Sequence, residues 1–388
     1  MNPLFADQPT TIFEHMSGLA REHGAVNLGQ GFPDFGWPED VLAKAGEALA
    51  QGSNQYPPMR GLPELRQAVA HHYHRHQGRD VAPDQVIVTS GATEALTAAI
   101  MALVSPGDEV VLFQPLYDSY LPMVKLAGGV PKLVNLAPPE WRLTREMLEA
   151  AITDRTRLVI FNNPHNPTAR AFDAEEVRLL AEACVRHDAL ALSDEVWEHL
   201  AFDGRAHVPL ASMPGMAART VKVGSAGKIF SLTGWKVGWA VVPPDMAKAV
   251  ANAHQFLTFT TAPNLQAAVA YGLGKEPGYF DRMRTTFAAS RDFLVNGLRD
   301  ADYVTLPAEG TYFVTVDLAA SGVEMDDAAF CERAVREAGV AAIPVSALYA
   351  DNPVRNVIRL CFAKKEETLR AGILGLAEAR AAFAERSK

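Results

Sequence analysis

The stretch DQVIVTSGATEALTAAIMALV, residues 84–104, changes character in its middle. Its first half is an unbroken run of β-branched residues, the pattern of a short strand covered on both faces. Ser90-Gly91-Ala92-Thr93 then forms a turn of small residues, and from Ala92 the apolar positions follow helical spacing. The same alternation repeats downstream. DEVVLF (108–113) reads as a strand, YDSYLPMVKLAG (117–128) as a helix and LVIFNN (158–163) as a strand. AEEVRLLAEACVRHD (174–188) reads as a helix with Asp173 at its N-cap, and ALALSDEV (189–196) as a strand again. TVKVG (220–224) and KVGWAVVP (236–243) are both strand-like. Apolar runs separated by helices describe an α/β domain with a parallel sheet covered on both faces.

From about residue 285 the pattern differs. A long helical stretch to Arg299 leads into TYFVTVDL (311–318), the helical DDAAFCERAVREAG (326–339), VAAIPV (340–345), NVIRLCFA (356–363) and a closing helix from Lys365. The expected organisation is an N-terminal segment, 1–40, a large domain, 41–284, and a smaller α+β domain, 285–388. At 388 residues the chain is long enough for such a division.

Hydrophobic residues make up 48% and charged residues 21%, the balance of a globular enzyme with a sizeable core. The net charge is −9 and Lys and Arg are scattered singly, which argues against nucleic acid or an acidic membrane as partner. The N-terminus lacks a signal-peptide pattern, and no apolar run approaches bilayer-spanning length. Three separated cysteines, Cys184, Cys331 and Cys361, fit a reducing cytoplasm and not a thiolate metal site.

Strand-to-helix turns in such sheets are where ligands bind. The Ser90–Thr93 turn lets backbone N–H groups at a helix N-terminus approach an anion, although such turns also occur merely as tight connections. Asp194 ends an apolar strand, placing a carboxylate at the sheet edge, as a cap, an ion-pair partner or the partner of a cationic ligand nitrogen. NNPHNPTAR (162–170) brings Asn166 to the same edge on a rigid turn. Arg359 lies in an apolar strand, where its fork needs a bidentate partner, either an internal acid or a ligand carboxylate. Lys228 sits among small residues in SAGKIFSLTGWKVGW (225–239), ahead of Lys236. It is not a P-loop lysine, because Lys222 stands where glycine is required and Ile229 where Ser or Thr is required. No G-x-G-x-x-G opens a helix either. A phosphate cradle, a ring-nitrogen acid, an amide donor, a lysine and a carboxylate fork together match pyridoxal phosphate chemistry. HHYHRH (71–76) places His72 and His76 one helical turn apart, but no further ligand stands nearby, so it reads as a solvated helix face and no metal site is expected.

NLGQGFPDF (27–35), NQYPPMRGLPELR (54–66), TSGATEAL (89–96), NNPHNPT (162–168), LSDEVWEHL (192–200), GSAGKIFSLTGWKVGW (224–239) and IRLCFA (358–363) occur in one order over nearly the whole chain. In these motifs the chain resembles the fold-type-I, class I/II pyridoxal-phosphate-dependent aminotransferases, and most closely the kynurenine/glutamine/methionine branch. The resemblance implies a mostly parallel seven-stranded sheet. It implies that Lys228 carries the cofactor as a Schiff base and shuttles the substrate proton, and that Asp194 keeps the pyridine nitrogen protonated. Asn166 would donate to the phenolic oxygen and also face the substrate, and Tyr117 would stack on the ring. Gly91, Ala92, Thr93, Ser225 and Lys236 would hold the phosphate. Tyr56 would reach that phosphate from a second subunit, which implies a homodimer with shared active sites. Arg359 would clamp the substrate carboxylate beside Gly31, with Phe13 and Phe259 at the side-chain pocket. The family usually has tyrosine where Trp197 stands; an indole N–H is a donor of different reach, so Trp197 carries over only as a cofactor neighbour.

The implied activity is transfer of an amino group from a neutral or aromatic amino acid to a 2-oxo acid by a ping-pong mechanism. No second arginine for a dicarboxylic substrate is evident. Cysteine-conjugate β-elimination on the same cofactor is the alternative within the enzyme class. A non-catalytic ligand-sensing module is the alternative outside it, disfavoured by the acidic balance and the lack of an appended helix-turn-helix.

Overall fold

The computed structural model describes residues 1–6 and 9–384. Its strands in chain order are β1 (Val26–Asn27), β2 (Val86–Thr89), β3 (Glu109–Gln114), β4 (Val130–Asn135), β5 (Thr156–Asn162), β6 (Leu190–Asp194), β7 (Thr220–Ser225), β8 (Gly238–Val241), β9 (Val304–Thr305), β10 (Phe313–Asp317), β11 (Val340–Ala341), β12 (Ile343–Pro344) and β13 (Val357–Cys361). Seven of them form one sheet in the order β2-β8-β7-β6-β5-β3-β4. Strands β4, β3, β5, β6 and β7 are parallel, while β8 runs antiparallel to both β7 and β2. The reversal has a local cause. Between β7 and β8 the chain makes only single helical turns, Ala226–Ile229 and Thr233–Trp235, with no crossover helix to carry it back along the sheet. The segment that turns the chain around is the one that bears Lys228.

Strands β3, β7 and β8 are buried at every position, as expected for strands with helices on both faces, whereas the edge strand β4 alternates between exposed and covered positions. The helix after β2, Ala92–Leu103, begins at Gly91, whose φ of 80° is open to glycine without strain. The helix Ala174–Arg186 starts with a reciprocal capping box between Asp173 and Glu176, two orphan donors being satisfied at once.

The second lobe carries the antiparallel sheet β12-β13-β10-β9, in which Arg359 lies between Thr315 and Ile343. Near the N-terminus β1 pairs in parallel with β11, Val26 opposite Val340, and joins the start of the chain to this lobe. The helix Pro277–Asp300 passes unbroken across residues 284 and 285. One apolar core runs through both lobes, from Val110 and Leu192 to Val314 and Phe362.

The HHYHRH segment departs from its expected solvated face. It lies in the last turns of the helix Pro63–Gln77, and His72 is 1% exposed, packed against Phe280 and His199. The neighbouring Tyr73 faces β7 and β8, where Trp239 Nε1 donates to the Tyr73 hydroxyl at 2.8 Å. A polar sequence hides this burial: His72 Nε2 meets His199 Nε2 at 2.9 Å, while its Nδ1 is buried with no hydrogen-bond partner among the described residues. Burial holds His72 well below the ordinary histidine range, helped by the charges of His76 and Lys222. Carboxylate Glu198 lies close enough to His72 and His199 to share a cation with them, yet Lys222 already occupies it at 2.9 Å. Among the described residues no helix is long and apolar enough to cross a membrane, and all three cysteines are free and buried.

Candidate active site

A cavity of about 500 Å³ opens where the carboxyl ends of β5, β6 and β7 meet the second lobe. Gly31, Gly91, Ala92, Thr93, Tyr117, Asn166, Asp194, Trp197, Ser225, Lys228, Lys236, Arg359 and Phe13 all line it. Two expected residues do not. Tyr56 is 83% exposed, and Phe259, with a positive φ of 69°, packs edge-on against it at 5.5 Å.

Parallel register sets the floor of the cavity. Asn162, the last residue of β5, lies opposite Asp194, the last of β6. The Asn162 amide donates to the Asp194 carbonyl at 2.9 Å, and its oxygen accepts the Asn166 backbone N–H at 2.8 Å, which locks the Asn/Pro turn in place. The Asp194 carboxylate accepts from the Tyr120 hydroxyl at 2.6 Å and from the Val196 N–H at 3.3 Å. Burial pushes its pKa up to about 6 in spite of those two donors. It is a buried acid that a cation in the cavity would fully ionise.

At one end of the cavity Gly91 and the first N–H groups of the helix Ala92–Leu103 face Lys236, itself in the left-handed region at φ 53°. Among the described residues Lys236 has no hydrogen-bond or ion-pair partner. The approach is close enough that a Cβ on Gly238 would lie 2.6 Å from the Gly91 carbonyl carbon and 2.7 Å from the Ala92 nitrogen. The Glu94 carboxylate accepts from the Ser90 N–H and also from Thr258, at 2.7 Å, and lies 2.6 Å from His254, pinning the turn from behind. An unpaired ammonium beside a helix N-terminus suits a phosphate dianion.

At the other end Arg359, 1% exposed, donates to Asn166 Oδ1 at 2.8 Å and to the Gly29 carbonyl at 2.9 Å. Its Nε is buried without a partner among the described residues, and the guanidinium stacks 3.9 Å from the centre of the Phe313 ring, with Phe13 at 5.0 Å. Burial lowers its pKa to about 10, still a cation at neutral pH. The orphaned Nε leaves the fork able to take a carboxylate.

Between the two ends Lys228 Nζ donates to the Tyr312 hydroxyl at 2.9 Å and lies 4.7 Å from the centre of the Trp197 ring. Burial lowers its pKa to about 8, so the free amine becomes accessible just above neutrality. Tyr120, Tyr312, Asn162 and Phe313 were not singled out from sequence. Tyr120, Tyr312 and Phe313 are aromatics within a strand or helix pattern and carry no local mark that distinguishes them from core, whereas Asn162 opens the Asn/Pro turn and is marked only by it.

A model of the family "Aminotransferase class I and II" matches residues 23–374. The methionine aminotransferase of Escherichia coli (strain K12) is 44% identical over 363 residues, covering 93% of this chain and 94% of that protein. The kynurenine–oxoglutarate transaminase of Dictyostelium discoideum is 36% identical, covering 92% of each. The solved structure of N-succinyldiaminopimelate aminotransferase from Mycobacterium tuberculosis superposes with a TM-score of 0.93 at 41% identity, over 97% of this chain and 99% of that one. With a phosphate-suited cradle, a buried acid, a buried lysine and an arginine fork in one cavity, the chain belongs to the class I and II aminotransferases, a family dependent on pyridoxal phosphate.

Proposed function

We propose that this aminotransferase takes the amino group from a neutral or aromatic L-amino acid, of the methionine, glutamine, phenylalanine or kynurenine class, and passes it to a 2-oxo acid in a ping-pong cycle. The observation that carries this reading is the charge of the cavity wall. Its basic side chains among the described residues are Lys228, Lys236 and Arg359. Each of the three has a task, so one copy of the chain itself leaves no cation in this wall for a distal carboxylate. Phe13, Phe32 and Phe313 supply apolar wall instead.

The chain's own residues fit the cofactor. In this reading Gly91, Ala92, Thr93, Ser225 and Lys236 hold its phosphate, Tyr117 covers its ring, Trp197 packs beside Lys228, and Asn166 faces its phenolic oxygen. When bound, pyridoxal phosphate supplies an electron sink for the charge left as the substrate Cα–H bond breaks. Asp194 pairs with the ring nitrogen and holds the proton there, and Tyr120 keeps the carboxylate oriented. Arg359, beside Gly31, holds the substrate carboxylate and so fixes which bond at Cα faces Lys228. Lys228 would hold the cofactor and, as a free amine, would take the Cα proton as general base. A base poised near pH 8 is well matched to that task.

Placement of Tyr56 and Phe259 in the site requires a second copy of the chain. Their exposed aromatic pair, flanked by Phe256 at 83% exposure, supports a homodimer with shared active sites. The free, buried cysteines support a cytoplasmic location. A division of the chain at residues 40 and 284 remains part of this proposal. The test is the visible spectrum of the purified protein during separate addition of methionine, glutamine, phenylalanine, kynurenine and aspartate, followed by a 2-oxo acid. Loss of the cofactor's visible band with the neutral and aromatic donors, and its return with the 2-oxo acid, is expected; preferential conversion by aspartate would refute the substrate class.

A further inference from the structure

The Lys228 amine is held by a residue from the other lobe. Tyr312 stands one position before β10, wholly buried, and its hydroxyl donates to the Gly31 carbonyl at 2.6 Å. Its proton is therefore committed away from Lys228, and the oxygen lone pair faces the amine, which donates to it at 2.9 Å. The ring cannot swing aside. Trp197 meets it edge-on at 4.3 Å, Phe313 meets it at 4.9 Å, and Phe287 lies at 6.2 Å.

The backbone leading to this residue is strained. Thr311 has a φ of 65°, a left-handed conformation that a β-branched residue rarely adopts and that costs on the order of 1–3 kcal/mol. It is held there by a hydrogen bond from its N–H to the Leu200 carbonyl at 2.9 Å, while the Tyr312 carbonyl accepts from the Phe362 N–H at 3.0 Å. Strain maintained beside a buried hydroxyl that reaches the reactive amine points to a function for that hydroxyl.

We propose that Tyr312 is a positioning residue for Lys228, its hydroxyl holding the free amine in the orientation from which it takes and returns the substrate proton. This rests on the reading of Lys228 as the proton carrier. The chain Lys228–Tyr312–Gly31 also ties the amine to the segment whose Gly29 carbonyl accepts from Arg359, so the base and the carboxylate fork share one mechanical frame. Trp197 offers no hydroxyl at this wall, and Tyr312 is the hydroxyl that reaches Nζ among the described residues.

The test is Tyr312→Phe, which keeps the ring and its contacts and removes only the oxygen. Two quantities are read in the full chain, with Lys228→Ala in parallel. The first is the pH profile of the rate at which cofactor-free protein captures pyridoxal phosphate covalently, followed by absorbance. A hydrogen bond to the charged amine is stronger than one to the neutral amine, so its loss lowers the midpoint, by about half a unit to one unit. The second is the effect of α-deuteration of the amino donor on turnover: kcat falls about tenfold or more and the isotope effect rises as proton transfer becomes the slow step. Both are independent of the fraction of variant that is folded or loaded once kcat is referred to bound cofactor. An unchanged midpoint together with an unchanged isotope effect would overturn the proposal. Near-normal turnover by Lys228→Ala would instead overturn the reading on which it rests.

Discussion

Replacing Lys222 by Met strands two buried carboxylates. The Lys222 ammonium, 0% exposed, pairs with Glu195 and, at 2.9 Å, with Glu198, and it donates to Gln77 at 3.1 Å. At an effective dielectric of 20, a charge pair at about 4 Å is worth roughly 4 kcal/mol, and removing one partner of a buried pair typically costs about 3–5 kcal/mol. Methionine fills much of the space, so the loss is electrostatic rather than a cavity. Burial works to raise the Glu195 carboxyl, but Lys222 and a hydrogen bond with His207 at 2.7 Å outweigh it and hold the group below its ordinary range. A carboxyl with a depressed folded pKa contributes stability that is present above its unfolded pKa of about 4.3 and is lost as pH falls. Without Lys222 burial raises both carboxyls, so they take up protons as pH falls; the deficit of the variant should be about 3–5 kcal/mol at pH 7.5, where they are charged, and shrink toward pH 4.5, where they are neutral. Urea unfolding at the two pH values measures it through the midpoint, provided the slope is unchanged. Adding Glu195→Gln and Glu198→Gln to the variant should recover most of the loss. Glu195 and Glu198 bracket Val196 and Trp197, directly after Asp194, so cofactor affinity should weaken with stability. A deficit under about 1 kcal/mol at pH 7.5, or one that does not shrink on acidification, would refute the electrostatic account.

Asp194→Asn should divide stability from function: the native carboxyl, raised to about 6, costs the cofactor-free chain about 2–3 kcal/mol above that pH relative to an amide. The cofactor-free variant should thus melt higher than wild type at pH 7.5 and lose that advantage below pH 4, while its affinity for pyridoxal phosphate, measured by spectral titration, falls by about tenfold or more. Arg359→Lys replaces a planar fork by a point charge and should cut kcat/KM for amino donors about 10- to 100-fold, chiefly through KM, in steady-state assays. Gly238→Ala drives a methyl into the Gly91–Ala92 backbone, 2.6 and 2.7 Å away, and should destabilise the chain by about 1–3 kcal/mol and raise the dissociation constant for the cofactor. Retention of wild-type cofactor affinity would show that the cradle tolerates displacement.

Much of this site is written in local sequence. Lys228, Asp194, Asn166 and the Ser90–Thr93 turn each sit where a strand stops, and strand ends are marked by apolar runs that give way to small or polar residues. Arg359 stands out because a guanidinium in an apolar strand needs a partner for its fork, either an internal acid or a ligand carboxylate. The antiparallel return of β8 is less legible: a strand's apolar run is the same in either direction, and only the absence of a crossover helix between β7 and β8 reverses it. His72 shows the same limit, since a histidine among polar neighbours looks solvated until helix Pro63–Gln77 is laid against the sheet.

The sequence by itself determined the layered α/β plan, through periodicity, and marked Lys228, Asp194, Asn166 and Arg359 as candidate site residues, through residue type and through motifs that resemble those of the family. The partners that tune those groups were decided only by tertiary structure. Tyr120 reaches Asp194 across 74 residues and Tyr312 reaches Lys228 across 84, and each lies in a segment that reads as ordinary packing. A hydroxyl's hydrogen bond depends on two side chains meeting within about 3 Å, and nothing in the spacing along either segment encodes that meeting. The physical reason is that burial and pairing are properties of the assembled lobes, whereas helix, strand and turn are properties of the chain.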